Sequence, residues 1–272
     1  MGNTLIDAAG TAHRVAEGQV RIVSLVPSIT ECLCDLGLTD SLVGRTGFCV
    51  HPRARVLGIE KVGGTKDVDI EKIRALKPTH VVLNIDENLR EVADKLAVFV
   101  PGVVVTHPLS PHDNLDLYAL LGGIFNRDAQ AAELGRALRA EFAALEALPD
   151  LPARRVLYLI WRKPWMTISR DTYISRMLAL VNWQTFPATA TRRYPELQLG
   201  EARGQADLAL LSSEPYPFRK QHLSIVGGEL GPNTGVHLVE GDMLSWYGSR
   251  AIPGIRYLRE LAQRLNGAAS GD

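Results

Sequence analysis

No apolar run in this chain reaches the ~18 residues that a membrane-spanning helix needs. The N-terminal stretch MGNTLIDAAGTAHRVAEGQ shows no basic region followed by an apolar core, the pattern of a secretory leader. As written, the chain is expected in the cytoplasm; a leader already removed would instead make it periplasmic or lipid-anchored. Charge of one sign is lacking too. Its 30 basic residues balance 30 acidic ones and no like-charge run stands out, which excludes the broad basic footprint of a nucleic-acid binder. Cysteine is scarce: Cys32, Cys34 and Cys49 form no CxxC and read as small buried hydrophobes.

The signatures of catalysis are also missing. There is no GxSxG elbow, no Walker loop and no GxGxxG after a strand. Gly63-Gly64-Thr65-Lys66 follows no strong strand and reads as a turn. Asp242 with Glu214 and a histidine is the best acid–base group available, and it is not specific, so an enzyme is disfavoured. A structural zinc site needs four ligands in tight pairs, which Cys49 with His51 and His107 with His112 do not supply. No resident metal or intrinsic cofactor is therefore expected. A single axial contact from Cys49, His51 or His107 to a metal held inside a ligand stays open as a lesser alternative.

What the chain does contain is strand–helix alternation. RIVSLV (21–26) is a continuous apolar run, as expected of a strand covered on both faces. Pro27 and SITECLCDLG follow it, where Ser28 with Glu31 reads as a capping box and Gly37 as a stop. LVGRTGFCVHP is strand-like and then irregular. Asp67 or Asp69 can cap a short helix before Pro78, and THVVLN and GVVVT are further strands with helices after them. Ahead of all this, residues 3–19 read as a hairpin around Asp7, Ala8, Ala9 and Gly10. The alternation restarts at RVLYLI (155–160), followed by a helix in TYISRMLALV, strands at DLALLS, HLSIV and HLVEG, and a terminal helix near 254–265. Alternation of this kind argues parallel sheets wrapped by helices.

Between the two halves lies NRDAQAAELGRALRAEFAALEALPD, rich in good helix formers and closed by Pro149. Ala131, Leu134, Leu138, Phe142, Leu145 and Leu148 recur at helical spacing, with Glu141 intruding near that stripe. About twenty residues span ~30 Å, enough for a strut between two α/β halves. Periodicity alone favours an ordinary surface helix. The expected organisation is an α/β lobe over 1–126, a linking helix over 127–149 and a second α/β lobe over 150–272.

Ligands of such folds bind at the C-terminal ends of strands and between domains. The strand-end loops of the second half are unusual in content. They carry Trp161, Arg162 and Trp165; Arg192, Arg193 and Tyr194; Glu214, Tyr216 and Phe218; and Asp242, Trp246, Tyr247 and Arg250. Loops usually carry small polar residues, so aromatics and arginines in four of them point to a concave site for a flat or anionic ligand. Trp161, Trp165, Tyr194 and Trp246 are the expected walls and Arg162, Asp242 and Arg250 the polar anchors. Ser28, at the first strand–turn–helix junction, is placed to offer backbone N–H groups to a ligand.

RIVSLVPSITECLCDLGL, LVGRTGFCVHP and DVDIEKIRALKPTHVVLN together resemble the first lobe of class III periplasmic binding proteins, also called helical-backbone metal receptors. RVLYLIWRKPWMTISRDTYISRMLALV and GDMLSWYGSRAI resemble the second lobe, so the likeness runs over about residues 3–265. The resemblance implies two lobes bridged by one long helix, spanning about residues 128–147. It also implies a non-enzymatic, monomeric protein that captures cobalamin, haem or an iron–siderophore complex in the inter-lobe cleft for the membrane subunits of an ABC importer. A cytoplasmic ligand chaperone or sensor on the same scaffold is the alternative. In cobalamin binders aromatic residues stack on the corrin. Here Thr65 lies near one such position and Asn84 replaces another, while Tyr194, Asp242 and Arg250 follow the pattern. Siderophore binders use arginines against anionic donors, for which Arg162, Arg192, Arg193 and Arg250 would serve. Transporter docking through one acidic residue per lobe would fall to Glu71 and, as a weaker match, Glu214.

Overall fold

A computed structural model describes residues 5–267. The chain folds as two compact units. The first holds the residues up to Pro108 with His112–Leu138 and Tyr247–Arg250; the second holds Leu109–Pro111, Arg139–Trp246 and the chain from Ala251 onward. The expected limits at 126 and 150 fall on either side of the linking helix. Two short exchanges, 109–111 and 247–250, were not expected at all.

The first unit is built on a five-stranded, wholly parallel sheet. Its strands are β3 (Ile22–Ser24), β4 (Leu42–Arg45), β5 (Glu60–Lys61), β6 (His80–Asn84) and β7 (Gly102–Thr106), in the order β5-β4-β3-β6-β7. Ile22, Val23, Val81, Val82 and Val104 are fully buried, as apolar runs covered on both faces must be. A two-stranded hairpin, β1 (Leu5–Ile6) against β2 (Ala12–His13), precedes the sheet; residues 3 and 4 of the expected hairpin lie outside the described residues. Asp7 organises its turn. One carboxylate oxygen accepts the N–H groups of Ala9 and Thr11 at 3.0 and 2.9 Å; the other accepts the Val105 N–H at 2.9 Å, tying the hairpin to the sheet edge.

Helix α1 (Pro27–Asp35) corrects the expected capping box. It begins with Pro27 at its first position, so Ser28 is already inside the helix and caps nothing. Its end is as expected: Gly37, at φ +76°, donates to the Cys34 carbonyl while Leu38 donates to that of Leu33, a Schellman closure. After α2 (Arg53–Val56), α3 (Ile70–Ala75) is capped by Asp69, whose carboxylate accepts the Lys72 N–H at 2.9 Å. α4 (Arg90–Ala97) and α5 (Asn114–Ile124) follow at the places read from the sequence.

The linking helix α6 (Asp128–Glu146) runs from the first unit into the second. Ala131, Leu138, Phe142 and Leu145 are buried, while Leu134 and Leu148 are half-buried. The intruding Glu141 is paired with two arginines: Arg256 Nε donates to its Oε1 at 2.9 Å, and Arg259 lies 3.6 Å from its Oε2. No described helix is long and apolar enough to cross a membrane.

The second unit has a four-stranded parallel sheet, ordered β11-β10-β8-β9. Its strands are β8 (Arg154–Leu159), β9 (Trp183–Thr185), β10 (Leu208–Ser212) and β11 (Gly235–Val239). α7 (Tyr173–Ala179), capped by Thr172, connects β8 to β9. HLSIV, expected as a strand, is helical: it belongs to α8 (Gln221–Leu230). Parallel β10 and β11 need a crossover, and a helix provides it. Val226 and Leu230 bury against the core from this helix, with Leu223 partly buried beside them, so the spacing is helical although Ile and Val suggest a strand. α9 (Gly241–Ser245) and α10 (Ala251–Gly267) close the chain.

Candidate functional site

Both sheets are parallel, so in each unit the strand C-termini gather on one edge, where such folds hold ligands. In the first unit this edge includes the loops after β4, β5 and β6. The loop after β4 is fixed from within: Arg45, itself buried, donates to the carbonyls of Val56 and Thr46 at 2.8 and 3.1 Å. Cys49 is pinned with its Sγ 3.1 Å from Thr46 Oγ1. With Cys49 turned in, Phe48 is turned out and is 63% exposed, near Gly64 of the loop after β5. The loop after β6 is organised by two buried amides. The Asn84 N–H donates to Asn88 Oδ1 at 2.9 Å, and Asn88 Nδ2 donates to the carbonyls of Leu25 and Thr65 at 3.3 and 2.8 Å. Asn84 thus shapes the loop rather than facing a ligand, and it leaves Ile85 and Leu89 exposed. Phe48, Val50, Ile85 and Leu89 are exposed apolar side chains of these loops that the sequence did not single out. The residue type of Phe48, a bulky aromatic just past a strand end, was legible; its outward turn was not.

Two expected ligand residues, Ser28 and Arg250, belong to this unit. Ser28 is 2% exposed and presents no surface. Arg250 grips Glu31 in a fork, its Nε donating to Oε2 at 2.8 Å and its Nη2 to Oε1 at 2.7 Å. The segment bearing Arg250 is anchored throughout. Tyr247 donates its hydroxyl to Glu87 Oε1 at 2.7 Å, the Gly248 N–H donates to Asn114 Oδ1 at 2.6 Å, and Tyr118 donates to the Gly248 carbonyl at 2.9 Å. Burial, with the Glu87 carboxylate beside it, holds the Tyr247 phenol well above its ordinary pKa. Gly248 sits at φ +76°, and a Cβ there would meet Cys32 Cβ at 3.0 Å. Of the possible axial groups, Cys49 is fully buried, His107 lies 3.4 Å from Asp86 Oδ1, and His51 is exposed. Burial pushes the Cys32 thiol up to about 12, so it stays protonated. Among the described residues no three metal-ligating side chains cluster. Glu71, in the first turn of α3, is exposed, with Arg74 3.4 Å away.

In the second unit Trp161 and Trp165 share one strand-end loop but not one environment. Trp161 is 39% exposed, its ring edge-on to Tyr216 at 5.7 Å between centroids. Tyr216 in turn rests edge-on against Phe218 at 4.7 Å, above buried His222. Trp165 stacks on Phe218 at 6.1 Å and packs against the core, with the Arg162 guanidinium 5.8 Å from its ring. The stretch after Trp165 lies beside 193–197: Thr167 donates to the Pro195 carbonyl, Ser169 to that of Arg193, and Leu197 back to that of Trp165. This fixes Tyr194, 41% exposed, on the neighbouring run. Asp242 lies in the first turn of α9, and Trp246 ends that helix with its N–H on the Asp242 carbonyl. The indole N–H of Trp246 donates to Glu214 Oε1 at 2.7 Å.

Two parallel α/β sheets with one helix running from the first unit into the second define the architecture of a bilobal solute-binding protein. Residues 22–206 match the family model for periplasmic binding proteins, and the chain belongs to that family, in its class III branch. Members of the family bind solutes without transforming them, so this is a binding protein and not an enzyme. The chain is 24% identical over 226 residues to a vitamin B12-binding protein of Photorhabdus laumondii, covering 82% of this chain and 76% of that one. It is 25% identical over 197 residues to YvrC of Bacillus subtilis, an uncharacterized ABC transporter substrate-binding lipoprotein, covering 69% and 62%. Among solved structures, the periplasmic heme-binding protein HutB of Vibrio cholerae superposes with a TM-score of 0.75 at 19% identity, over 90% of this chain and 99% of that one.

Proposed function

We propose that this chain is the exported substrate-binding component of an ABC importer and that it captures a corrinoid, a large, flat, metal-bearing macrocycle. It works as a monomer alongside membrane subunits and does not itself insert in the membrane. The observation that carries the reading is Trp161: a ring held edge-on by Tyr216 yet 39% exposed at a strand end. An aromatic fixed from beneath and uncovered above is a ready stacking platform. Phe48, on the corresponding edge of the first unit, offers a second apolar ring. The name of the B12-binding relative supports the same cargo. A haem or ferric siderophore is the second reading, favoured by Arg162 and Arg192 as partners for carboxylates or anionic oxygen donors. Calorimetric titration with cyanocobalamin, haemin and a ferric siderophore separates them. Tight binding of cyanocobalamin alone supports the proposal, and tight binding of haemin with none of the corrinoid overturns it.

Glu71 supplies the transporter contact in this reading. It is exposed in the first turn of α3. Charge reversal, Glu71→Lys, is expected to leave ligand affinity unchanged and to weaken capture by membrane subunits reconstituted in vesicles. A tenfold loss of ligand affinity would place Glu71 in the ligand site instead.

A further inference from the structure

We infer that Glu214 is a positioning residue for the ligand, fixing the indole of Trp246, and not a transporter-docking carboxylate. The inference rests on the proposal above, in which Trp246 belongs to the ligand wall. The backbone of Glu214 is locked before its side chain is. Ser212 Oγ donates to the Glu214 carbonyl at 2.6 Å and accepts the Glu214 N–H at 3.3 Å. Tyr158, buried in the sheet, donates to that same hydroxyl at 3.1 Å. Across from it, Gly241 leaves the space the carboxylate arm needs; a Cβ there would press on Ser212 Oγ and on Glu214 Cγ.

So held, Glu214 Oε1 accepts the Trp246 indole N–H at 2.7 Å and the Ser245 hydroxyl at 3.0 Å. An indole has a single donor, so a charge-assisted bond to it fixes how the ring is turned. A ring fixed beforehand need not be ordered when a flat ligand arrives. A docking carboxylate, by contrast, must face outward to meet another protein, as Glu71 does with its 79% exposed side chain. Glu214 is half-buried with Oε1 on two donors of its own unit. What the site needs at this position is an acceptor at Oε1. Gln supplies one and Ala does not.

The test compares the full chain with Glu214→Gln and Glu214→Ala by calorimetric titration of cyanocobalamin. Alongside it, nitrogen–proton spectra follow the Trp246 indole, assigned by its absence in Trp246→Phe. Glu214→Ala is expected to weaken binding about tenfold, the order of effect of losing a charge-assisted bond and one side chain's preorganisation. It should also speed exchange of the Trp246 indole proton, whereas Glu214→Gln should keep that proton protected and bind within about threefold of the parent. Parent-like affinity in Glu214→Ala overturns the inference while leaving the proposed function standing. So does an equal loss in both variants, which would mean the charge itself acts. A parent chain that binds no cyanocobalamin overturns the proposed function, and the inference falls with it.

Discussion

Arg250→Ala is expected to lower the unfolding free energy by about 3 kcal/mol, the low end for stripping one partner from a buried ion pair. The low end applies because the two side chains are 12% and 13% exposed, so water screens part of the loss. The bond removed is bidentate, at 2.8 and 2.7 Å, and the carboxylate left behind belongs to Glu31, in the middle of α1. The rest of the segment has other anchors: Gly248 on Asn114, Tyr118 on the Gly248 carbonyl, Tyr247 on Glu87. Loss of the pair should therefore loosen the segment without releasing it. Urea unfolding of the parent, Arg250→Ala, Glu31→Gln and the double variant measures the coupling. The double variant should be more stable than Arg250→Ala, since a neutral amide is easier to leave without a cation than a carboxylate. A ligand-anchoring Arg250 gives the opposite pattern, with an unmoved urea midpoint and affinity for cyanocobalamin reduced at least tenfold. That result would sink the structural role argued here.

The contrast between Arg250 and Trp161 shows what was readable in the chain. Buried parallel strands announce themselves as apolar runs, and RIVSLV, THVVLN, GVVVT and DLALLS all became strands near the expected places. α6 was legible for the same reason, since its apolar stripe has a helical period over a long stretch. Local propensity failed where topology decides. HLSIV carries residues that suit a strand, but two parallel neighbours must be joined by a crossover, and no short window of sequence contains that demand. Short edges such as β5 and β9, two and three residues long, leave too little pattern to read. At the candidate site the residue types were legible and their partners were not. An arginine in a strand-end loop looks alike whether it awaits an anion or already grips Glu31, 219 positions earlier in the chain. Ser28 and Glu31 have the spacing of a capping box, yet Pro27 takes the first helical position and frees Glu31 for that distant arginine. Phe48 was overlooked for a related reason: its exposure follows from the inward turn of Cys49, which only the folded loop reveals.

Trp161→Ala is expected to weaken cyanocobalamin binding by at least ~2 kcal/mol, close to thirtyfold, with little change in thermal stability. Trp165→Ala should do the reverse, though both residues come from one loop only five residues long from Trp161 to Trp165. Trp161 rests edge-on against Tyr216 and keeps 39% of its surface exposed, so truncation removes less that the fold depends on. Trp165 stacks on Phe218, whose ring is buried, and packs against the second unit's core. Complete burial would make a Trp→Ala truncation cost about 3–5 kcal/mol, and a half-buried ring should lose roughly half of that. For a chain of this size ~2 kcal/mol corresponds to a fall of about 4–8 °C in Tm. Tryptophan fluorescence reports on both variants in one titration, because a corrinoid lying on an indole quenches it. Quenching should fall sharply in Trp161→Ala and persist in Trp165→Ala at temperatures where the variant is folded. If Trp161→Ala binds and quenches like the parent, the exposed ring is not the platform and the ligand lies on some other surface; if Trp165→Ala melts unchanged but binds poorly, the roles of the two indoles are exchanged.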